Sequence, residues 1–276
     1  MDGRWCAAAL VWLAGCVQIL GVDEEFVVGS STTTTPDAGL GGSGGVVNPG
    51  GTGGTGATSG GGGGGGASCS AEICNGIDDD CNSVTDEGCP TDVTVGNGAF
   101  GAHTLFGSTT GGTAWEDVCP AGTALYRFTG RVGDALDLIQ GHCAPLTLET
   151  DTSSSPYVYR IARGEGTVLG LNGGVGGEVF DAPCPADMFA VGISGEADSL
   201  MRDLSIHCAE IQITGGPGSF GLTYGPTTVV DVDAAMSGTA FDDLLASPAV
   251  VDRIRGRAGA VVDAVGIGEA SVALVF

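Results

Sequence analysis

The stretch Gly130-Arg131-Val132-Gly133-Asp134-Ala135-Leu136-Asp137 decides the fold, because it returns near the C-terminus as Gly256-Arg257-Ala258-Gly259-Ala260-Val261-Val262-Asp263. A looser copy lies between the two, with Gly195 and Asp203 as its first and last residues. The leading glycines Gly130, Gly195 and Gly256 are 65 and 61 residues apart. Self-similarity at a fixed period indicates a repeat architecture, so the three copies predict three homologous units.

Cysteines frame the first two units. In each of these two units, the Cys of a Cys-Pro pair lies eleven residues before the leading glycine. The Cys of a His-Cys pair lies 24 residues after that first cysteine. The same offsets in the third unit fall on Leu245 and Glu269, so both cysteines are lost together. Joint loss is what a disulfide predicts, since a single loss would leave a free thiol. We therefore expect two bonds, Cys119–Cys143 and Cys184–Cys208.

The segment 91–276 has the composition of a β domain. Val, Ala, Leu, Gly and Thr form short alternating runs, such as Tyr126-Arg127-Phe128-Thr129, and Gly or Pro interrupts them about every ten residues. Such spacing is typical of many short strands. Three all-β units predict three sheets in a pseudo-threefold arrangement around one core, and a β-sandwich is the alternative fold.

Two short motifs resemble known β-prism families. Gly111-Gly112-Thr113-Ala114-Trp115, followed by Gly-Arg-x-Gly-x-x-x-Asp, resembles the jacalin-type lectins. The Cys-Pro-x-Gly start and late Cys resemble vitelline-membrane outer-layer proteins. Both resemblances imply a β-prism-like domain of three four-stranded sheets. In jacalin-type lectins, the carboxylate and backbone N–H groups of a Gly-x-x-x-Asp loop help bind the sugar, which here implies four carbohydrate-binding residues: Gly133, Asp137, Gly259 and Asp263.

A small acidic module precedes the β domain at residues 69–90. It holds six carboxylates without a cation and four cysteines: Cys69, Cys74, Cys81 and Cys89. Crowded carboxylates repel each other, and a hard cation would relieve that repulsion. The oxygen-bearing residues follow positions 1, 3, 5, 7 and 9 of an EF-hand-like loop, namely Asp78, Asp80, Asn82, Val84 through its carbonyl, and Asp86. Glu87 or Glu72 could replace the missing carboxylate of position 12.

The span from Glu72 to Cys89 resembles a short metal-binding repeat of bacterial surface proteins that is named after a copper-binding member. Carboxylate and amide oxygens without His or Met suit Ca²⁺ better than copper, so we expect bound calcium. The cysteines lack the Cys-x-x-Cys spacing of zinc sites and indicate two disulfides with three alternative pairings. A disulfide knot with solvated acids and no ion is the alternative.

The N-terminal residues predict export. The apolar run from Ala7 to Leu13 has the length of a signal-peptide core, and Leu13-Ala14-Gly15-Cys16 resembles the lipobox of bacterial lipoproteins. That resemblance implies a signal peptide over 1–16, acylation of Cys16, and an outer-membrane location facing the periplasm or the cell surface. The Gly- and Thr-rich segment 17–68 has nothing to bury and predicts a disordered tether.

Charge and motifs exclude several functions. Arg supplies all 9 positive charges against 33 Asp plus Glu, for a net charge of −24. Nucleic-acid affinity is carried by clustered Lys and Arg, so this chain is no nucleic-acid binder, and only the lipid would attach it to a membrane. Catalytic fingerprints such as Gly-x-Ser-x-Gly are missing from the sequence. We expect a non-catalytic surface lipoprotein that binds a glycan or cell-surface polysaccharide, or alternatively a structural surface-layer component.

Overall fold

The computed structural model describes residues 69–96, 103–232 and 237–276. All regular elements in these ranges are β-strands, which confirms the all-β class. None of the described residues forms a helix long and apolar enough to cross a membrane. The predicted signal peptide 1–16 with Cys16, and the predicted tether 17–68, lie outside the described residues.

Fourteen strands occupy the described part of the chain. In chain order they are β1 (Asp92–Val95), β2 (Phe106–Gly107), β3 (Thr113–Val118), β4 (Thr123–Val132), β5 (Leu136–Asp151), β6 (Val158–Arg163), β7 (Thr167–Gly173), β8 (Glu178–Pro183), β9 (Met188–Ala197), β10 (Met201–Thr214), β11 (Gly221–Asp231), β12 (Thr239–Leu244), β13 (Ala249–Ala258) and β14 (Val262–Val275).

Each of the three units contributes one long antiparallel hairpin to the centre of a sheet. The hairpins are β4–β5, β9–β10 and β13–β14. Their three-residue turns are closed in the same way, by a hydrogen bond from the first N–H to the third carbonyl. The bonds are Gly133 to Ala135 at 2.9 Å, Asp198 to Leu200 at 3.0 Å, and Gly259 to Val261 at 2.9 Å.

Every sheet takes one edge strand from the following unit. Strand β8 leads into the second unit but pairs with β4 of the first, and β12 leads into the third unit but pairs with β9 of the second. Strand β3 leads into the first unit and pairs with β13 of the third, which closes the ring. The opposite edges are formed by β6 and β7 on β5, by β11 on β10, and by β1 and β2 on β14.

The result is a β-prism of three sheets with five, four and five strands. The expected count of four per sheet is exceeded because the edge beside β5 is divided between β6 and β7, and the edge beside β14 between β1 and β2. The predicted three-sheet fold is confirmed, and the β-sandwich alternative is wrong. The inner faces of the three hairpins supply most of the larger of two hydrophobic clusters, which includes Phe128, Ile193 and Ile254.

The leading glycine of each unit lies opposite an aromatic residue of the exchanged strand. Gly130 pairs in register with Phe180, Gly195 with Phe241, and Gly256 with Trp115. A methyl group on Gly256 would lie 2.8 Å from Cζ2 of Trp115. Gly130 and Gly256 therefore make room for the ring that the neighbouring unit sends across the junction, whereas a methyl group on Gly195 would collide with the Asp203 carbonyl at 2.2 Å.

The structure forms the two disulfides that the comparison of the units predicts. Cys119 is bonded to Cys143 and Cys184 to Cys208. In the third unit Leu245 occupies the first cysteine position: its N–H donates to Val191, as the N–H of Cys184 donates to the equivalent Tyr126. An apolar side chain that is 7% exposed thus replaces the bond in the unit that lacks it.

We predict that replacing Cys119 and Cys143 by Ala lowers the free energy of unfolding by about 3 kcal/mol, because the bond closes a loop of about 25 residues in the unfolded chain. Urea denaturation followed by tryptophan fluorescence measures the loss. The Cys184→Ala/Cys208→Ala variant is the matched control, since its loop has the same sequence separation of 24 and it should lose about as much stability. Wild-type stability in both variants would contradict this account.

Candidate ligand sites

The acidic module is an irregular loop held by two crossed disulfides. Cys69 is bonded to Cys81 and Cys74 to Cys89, which selects one of the three alternative pairings. No residue from 69 to 90 lies in a strand. The conformation of the module therefore depends on its disulfides and side-chain hydrogen bonds, since no sheet runs through it.

Three carboxylates of the module converge. Glu72, Asp80 and Glu87 place one oxygen each within 4.8 Å of one another. Oε2 of Glu72 and Oε2 of Glu87 are buried and have no hydrogen-bond partner. Buried acceptors without a partner are costly, and carboxylates that face each other repel. A hard cation such as Ca²⁺, which takes carboxylate oxygens as ligands, would bind the unpartnered oxygens and offset the repulsion.

Two of the predicted ligands, Asp80 and Glu87, lie in this cluster. The side-chain amide of Asn82, also predicted, donates to Asp80 at 3.1 Å and to Glu87. Glu72 enters from the start of the module, as one of the two replacements considered for position 12. The alternate spacing thus accounts for Asp80, and both replacements considered for position 12 lie beside it.

The other predicted ligands stabilise the backbone of the loop. The carboxylate of Asp78 accepts the N–H groups of Asn82 at 3.1 Å and Ser83 at 2.9 Å. The carboxylate of Asp86 accepts the N–H of Gly76 at 2.9 Å. Val84 donates its N–H to the Asn82 side chain at 2.8 Å. In this geometry Asp78 and Asp86 shape the loop around the three converging acids.

The module packs against loops of the prism. The N–H of Tyr157 donates to the Cys74 carbonyl at 2.7 Å, and a methyl group on Gly76 would lie 2.5 Å from the Tyr157 hydroxyl. Burial, and secondly the negative charge of Asp86, raise the pKa of Tyr159. Asp86, whose carboxylate accepts the N–H of Gly76, therefore lies close to the contact between module and prism.

A second kind of site occurs where an exchanged strand begins. In the first corner, defined by Arg131, Asp137, Gly176 and Gly177, the guanidinium of Arg131 donates to the carbonyls of Gly176 at 2.7 Å and Gly177 at 2.8 Å. The glycine pair leads into β8, whereas the Arg and Asp belong to the β4–β5 hairpin that accepts this strand. The corner is therefore built from two units.

The second corner repeats this arrangement with residues Arg257, Asp263, Gly111 and Gly112. Arg257 donates to the Gly111 carbonyl and, at 2.8 Å, to the Gly112 carbonyl. This glycine pair leads into β3, and the hairpin that accepts it is β13–β14. Two of the three junctions of the prism thus carry the same group of side chains.

The aspartate of each corner lies directly against the glycine pair. A methyl group on Gly177 would lie 2.5 Å from Oδ2 of Asp137 and would also collide with the Val132 carbonyl. Gly177 and Gly112 have φ angles of +65° and +46°, which L side chains adopt at a cost. Glycine is required here both by the backbone and by the approach of the carboxylate.

Both carboxylates are available to a ligand. Within the described residues, neither the Asp137 carboxylate nor the Asp263 carboxylate accepts a hydrogen bond from the protein, and both side chains are only partly buried. Gly133 lies beside Asp137, where a methyl group would be 3.2 Å from its Oδ2, and Gly259 lies beside Gly112. The structure therefore brings each predicted Gly and Asp together, and adds Arg and Gly-Gly, which the sequence motif contains but which we did not predict as site residues.

The third corner differs, and the expectation that Asp203 repeats Asp137 is wrong. Val132 pairs with Leu136 and Arg131 with Leu138, so Asp137 is a bulged residue between them. In the second unit Ala197 pairs with Met201 and Glu196 with Asp203, which leaves Arg202 in the bulge. Arg202 thus takes the place of Asp137, and Glu196 takes the place of Arg131. The charges of the corner are exchanged.

Two of the histidines occupy equivalent positions in the sheets. Nε2 of His142 contacts the Thr129 hydroxyl at 2.8 Å, and Nε2 of His207 contacts the Ser194 hydroxyl at 2.7 Å. Burial, and secondly the positive charge of Arg127, lower the pKa of His142. Their repetition in successive units, beside the disulfide cysteines, indicates a scaffold role.

Comparison with family models and with curated proteins found no match. Solved structures that are similar to this chain include Malaysian banana lectin, with 19% identity over 60% of this chain and 94% of the lectin and a TM-score of 0.37. A mannose-binding jacalin-related lectin from Ananas comosus has 21% identity over 61% and 94%, with a TM-score of 0.38. A mannose-specific jacalin-related lectin from Morus nigra has 19% identity over 63% and 97%, with a TM-score of 0.38.

We predict that Gly177→Ala lowers the free energy of unfolding by more than about 2 kcal/mol, because it adds a collision with Val132 and Asp137 to the cost of a positive φ. Gly122→Ala is the matched control. Gly122 has a φ of +79° and nothing within 4 Å of the added methyl group. The Gly122→Ala variant should therefore lose only about 1 kcal/mol of the free energy of unfolding. Urea denaturation measures both losses, and equal values would show that the corner is not tightly packed.

Proposed function

We propose that the prism binds carbohydrate through the first and second corners. Each corner offers a carboxylate without a protein partner, held against a backbone segment that has no side chains. Sugar hydroxyls can donate to such a carboxylate, and their oxygens can accept from nearby backbone N–H groups. The free carboxylates of Asp137 and Asp263 are the observation that carries this proposal, and the sequence resemblance to jacalin-type lectins supports it.

The ligand class follows from charge. A free carboxylate repels anions, and the net charge of −24 disfavours acidic glycans further. Arg131 and Arg257 do not reverse this preference, because each only balances the aspartate of its own corner and already donates to glycine carbonyls. Neutral, hydroxyl-rich sugars are therefore the proposed ligands.

The proposed role is binding without catalysis. Ser194 and His207 form a hydroxyl–imidazole pair of the kind that can act as a nucleophile and base. Asp242, however, approaches Nε2 of His207 at 3.9 Å, the nitrogen that already contacts Ser194. A catalytic triad needs its carboxylate on the other nitrogen, so this pair does not match that geometry.

We expect Asp137→Asn and Asp263→Asn each to remove one binding site, because asparagine keeps the size of the side chain but loses the charged acceptor. A neutral ligand is first identified on a glycan array with the full chain. Titration calorimetry should then give two sites for the wild type and one for each single variant. Affinity at the altered site should fall about tenfold or more, since hydrogen bonds to charged groups are worth about 1.5–3 kcal/mol.

Asp134→Asn is the control for these variants, because Asp134 is an exposed residue of the same turn. It should bind as the wild type does. If the wild type binds no neutral glycan, or if the Asp137→Asn/Asp263→Asn double variant retains both sites, this proposal fails. The structural surface-layer role would then be favoured.

We also propose that the acidic module holds Ca²⁺ through Glu72, Asp80 and Glu87. The two buried, unpartnered carboxylate oxygens carry this proposal. When bound, the ion would supply positive charge to groups that otherwise repel each other. Asp86 links the cluster to the rest of the module, since its N–H donates to Glu72 at 3.0 Å while its carboxylate accepts from Asn75 at 2.8 Å.

Calcium should therefore slow amide hydrogen exchange in residues 69–89. At a calcium concentration of 100 times the Kd, the free energy of protection should rise by up to about 2.7 kcal/mol. Mass spectrometry of the full chain in calcium and in chelator measures the difference. The Glu72→Gln/Glu87→Gln variant should lose it, whereas Glu165→Gln, at an exposed position of the prism, should keep it. Identical amide hydrogen-exchange rates with and without calcium in the wild type would contradict the calcium proposal.

We further propose that the protein is a lipoprotein of the outer membrane. The lipobox resemblance at Cys16 supports acylation there, and the composition of residues 17–68 supports a flexible tether between lipid and module. A glycan-binding prism on such a tether could reach ligands outside the membrane to which the lipid attaches it.

A further inference from the structure

The hairpin turns of the three units meet at one end of the prism. The carbonyl of Asp134, at the centre of the first turn, accepts a hydrogen bond from Arg202 of the second unit at 2.9 Å. The carbonyl of Ala260, at the centre of the third turn, lies against Gly174, because a methyl group on this glycine would collide with it. The first turn thus contacts the second unit, and the third turn contacts the first unit.

Gly174 links the first corner to the second. Its N–H donates to the Asp137 carbonyl at 2.8 Å, and its Cα approaches Ala260 in the hairpin that carries Asp263. Consecutive Cα atoms are about 3.8 Å apart, so the path through Gly174 and Ala260 places the backbones of the two aspartates within about 20 Å of each other. The two proposed sugar sites therefore share a border.

The two residues that meet at this border are a glycine and an exposed alanine, Gly174 and Ala260. At the equivalent contact between the first and second units, the guanidinium of Arg202 lies between the turns, where it also pairs with Asp198 at 3.1 Å. The contact between the two corners with free carboxylates lacks such a long side chain. It therefore does not obstruct a ligand that extends from one corner to the other.

An exposed apolar side chain lies in the same loop. Val175 follows Gly174 and precedes Gly176 of the first corner, and it is 91% exposed. Covering apolar surface is favourable by about 25 cal/mol per Å². The C–H groups of a sugar can cover this side chain while hydroxyls elsewhere on the same glycan donate to the carboxylates. Val175 is therefore suited to contact a sugar that lies between the two sites.

We propose that one neutral oligosaccharide bridges the first and second corners, with one sugar at Asp137, another at Asp263, and the chain between them passing over Val175. This inference rests on the proposed glycan binding of the prism, and it specifies the ligand as a chain of several neutral sugars. Once one end is bound, the other end is held at a high effective concentration. The affinity for the oligosaccharide can therefore exceed that of either site by about 10²–10⁴-fold.

The test titrates the full chain with linear oligomers of glucose, mannose and galactose, each from the monosaccharide to the hexasaccharide. The monosaccharide that binds should occupy the two sites proposed above. Its oligomers, beyond a threshold length, should bind one per protein with an affinity about 100-fold higher. Analytical ultracentrifugation should then show no particle larger than the free protein, because both ends of the oligomer lie on one prism.

Single variants distinguish bridging from a longer site at one corner. Asp137→Asn and Asp263→Asn should each return the oligomer to about the affinity of the monosaccharide, because bridging needs both ends. Asp134→Asn should keep the full gain. Val175→Ser should lower the affinity for the oligomer about threefold without changing that for the monosaccharide, whereas Val168→Ser, at an exposed valine of β7, should change neither.

The outcomes separate this inference from the function on which it rests. Bridging is rejected, and the proposed glycan binding stands, if the monosaccharide occupies two sites but no oligomer binds more tightly. Bridging is also rejected if either aspartate variant retains the full gain, if Val175→Ser leaves the affinity for the oligomer unchanged, or if the oligomer joins two proteins into a larger particle. A wild type that binds no neutral glycan, in this series or on the array, overturns both proposals.

Discussion

The exchange of one edge strand between neighbouring units is the interaction on which the prism depends. A single unit would lack the edge strand of its sheet, and its leading glycine would lack the aromatic residue opposite it. Phe180, Phe241 and Trp115 each lie across a junction, opposite the leading glycine of the unit whose sheet their strand joins. The three units therefore stabilise one another, and none has a complete sheet of its own.

The same exchange creates the candidate ligand sites. Each corner forms where the first residues of an exchanged strand meet the turn of the hairpin that receives it. In two corners Arg holds the glycine carbonyls and leaves Asp free for a ligand. In the third corner Arg202 pairs with Asp198, and Glu196 accepts the N–H of Gly238. Small changes at one repeated junction thus give different hydrogen-bonding schemes on one scaffold.

The sequence was sufficient for features that repeat at fixed offsets and insufficient for those set by long-range pairing. Joint loss of two cysteines predicted both prism disulfides, and the Gly-x-x-x-Asp motif predicted two corners. Strand exchange leaves no local pattern, because β3 finds its partner far along the chain. Asp203 was misplaced because it lies eight residues after Gly195, whereas the bulged position of each unit lies seven residues after the leading glycine and is Arg202 in the second unit. In the acidic module, alternate spacing suggested Asp78 and Asp86 as ligands, but loop N–H groups compete for their carboxylates and Glu72 arrives from outside the EF-hand-like spacing.

The most direct test of this account is a set of interstrand NMR contacts for Thr113–Val118 in the full chain. The account predicts nuclear Overhauser effects between this strand and Ala249–Ala258, including contacts from the Trp115 indole to Gly256, its partner in register. Contacts from Thr113–Val118 to Thr123–Val132 of its own unit, without those to the third, would contradict the closed exchange of strands.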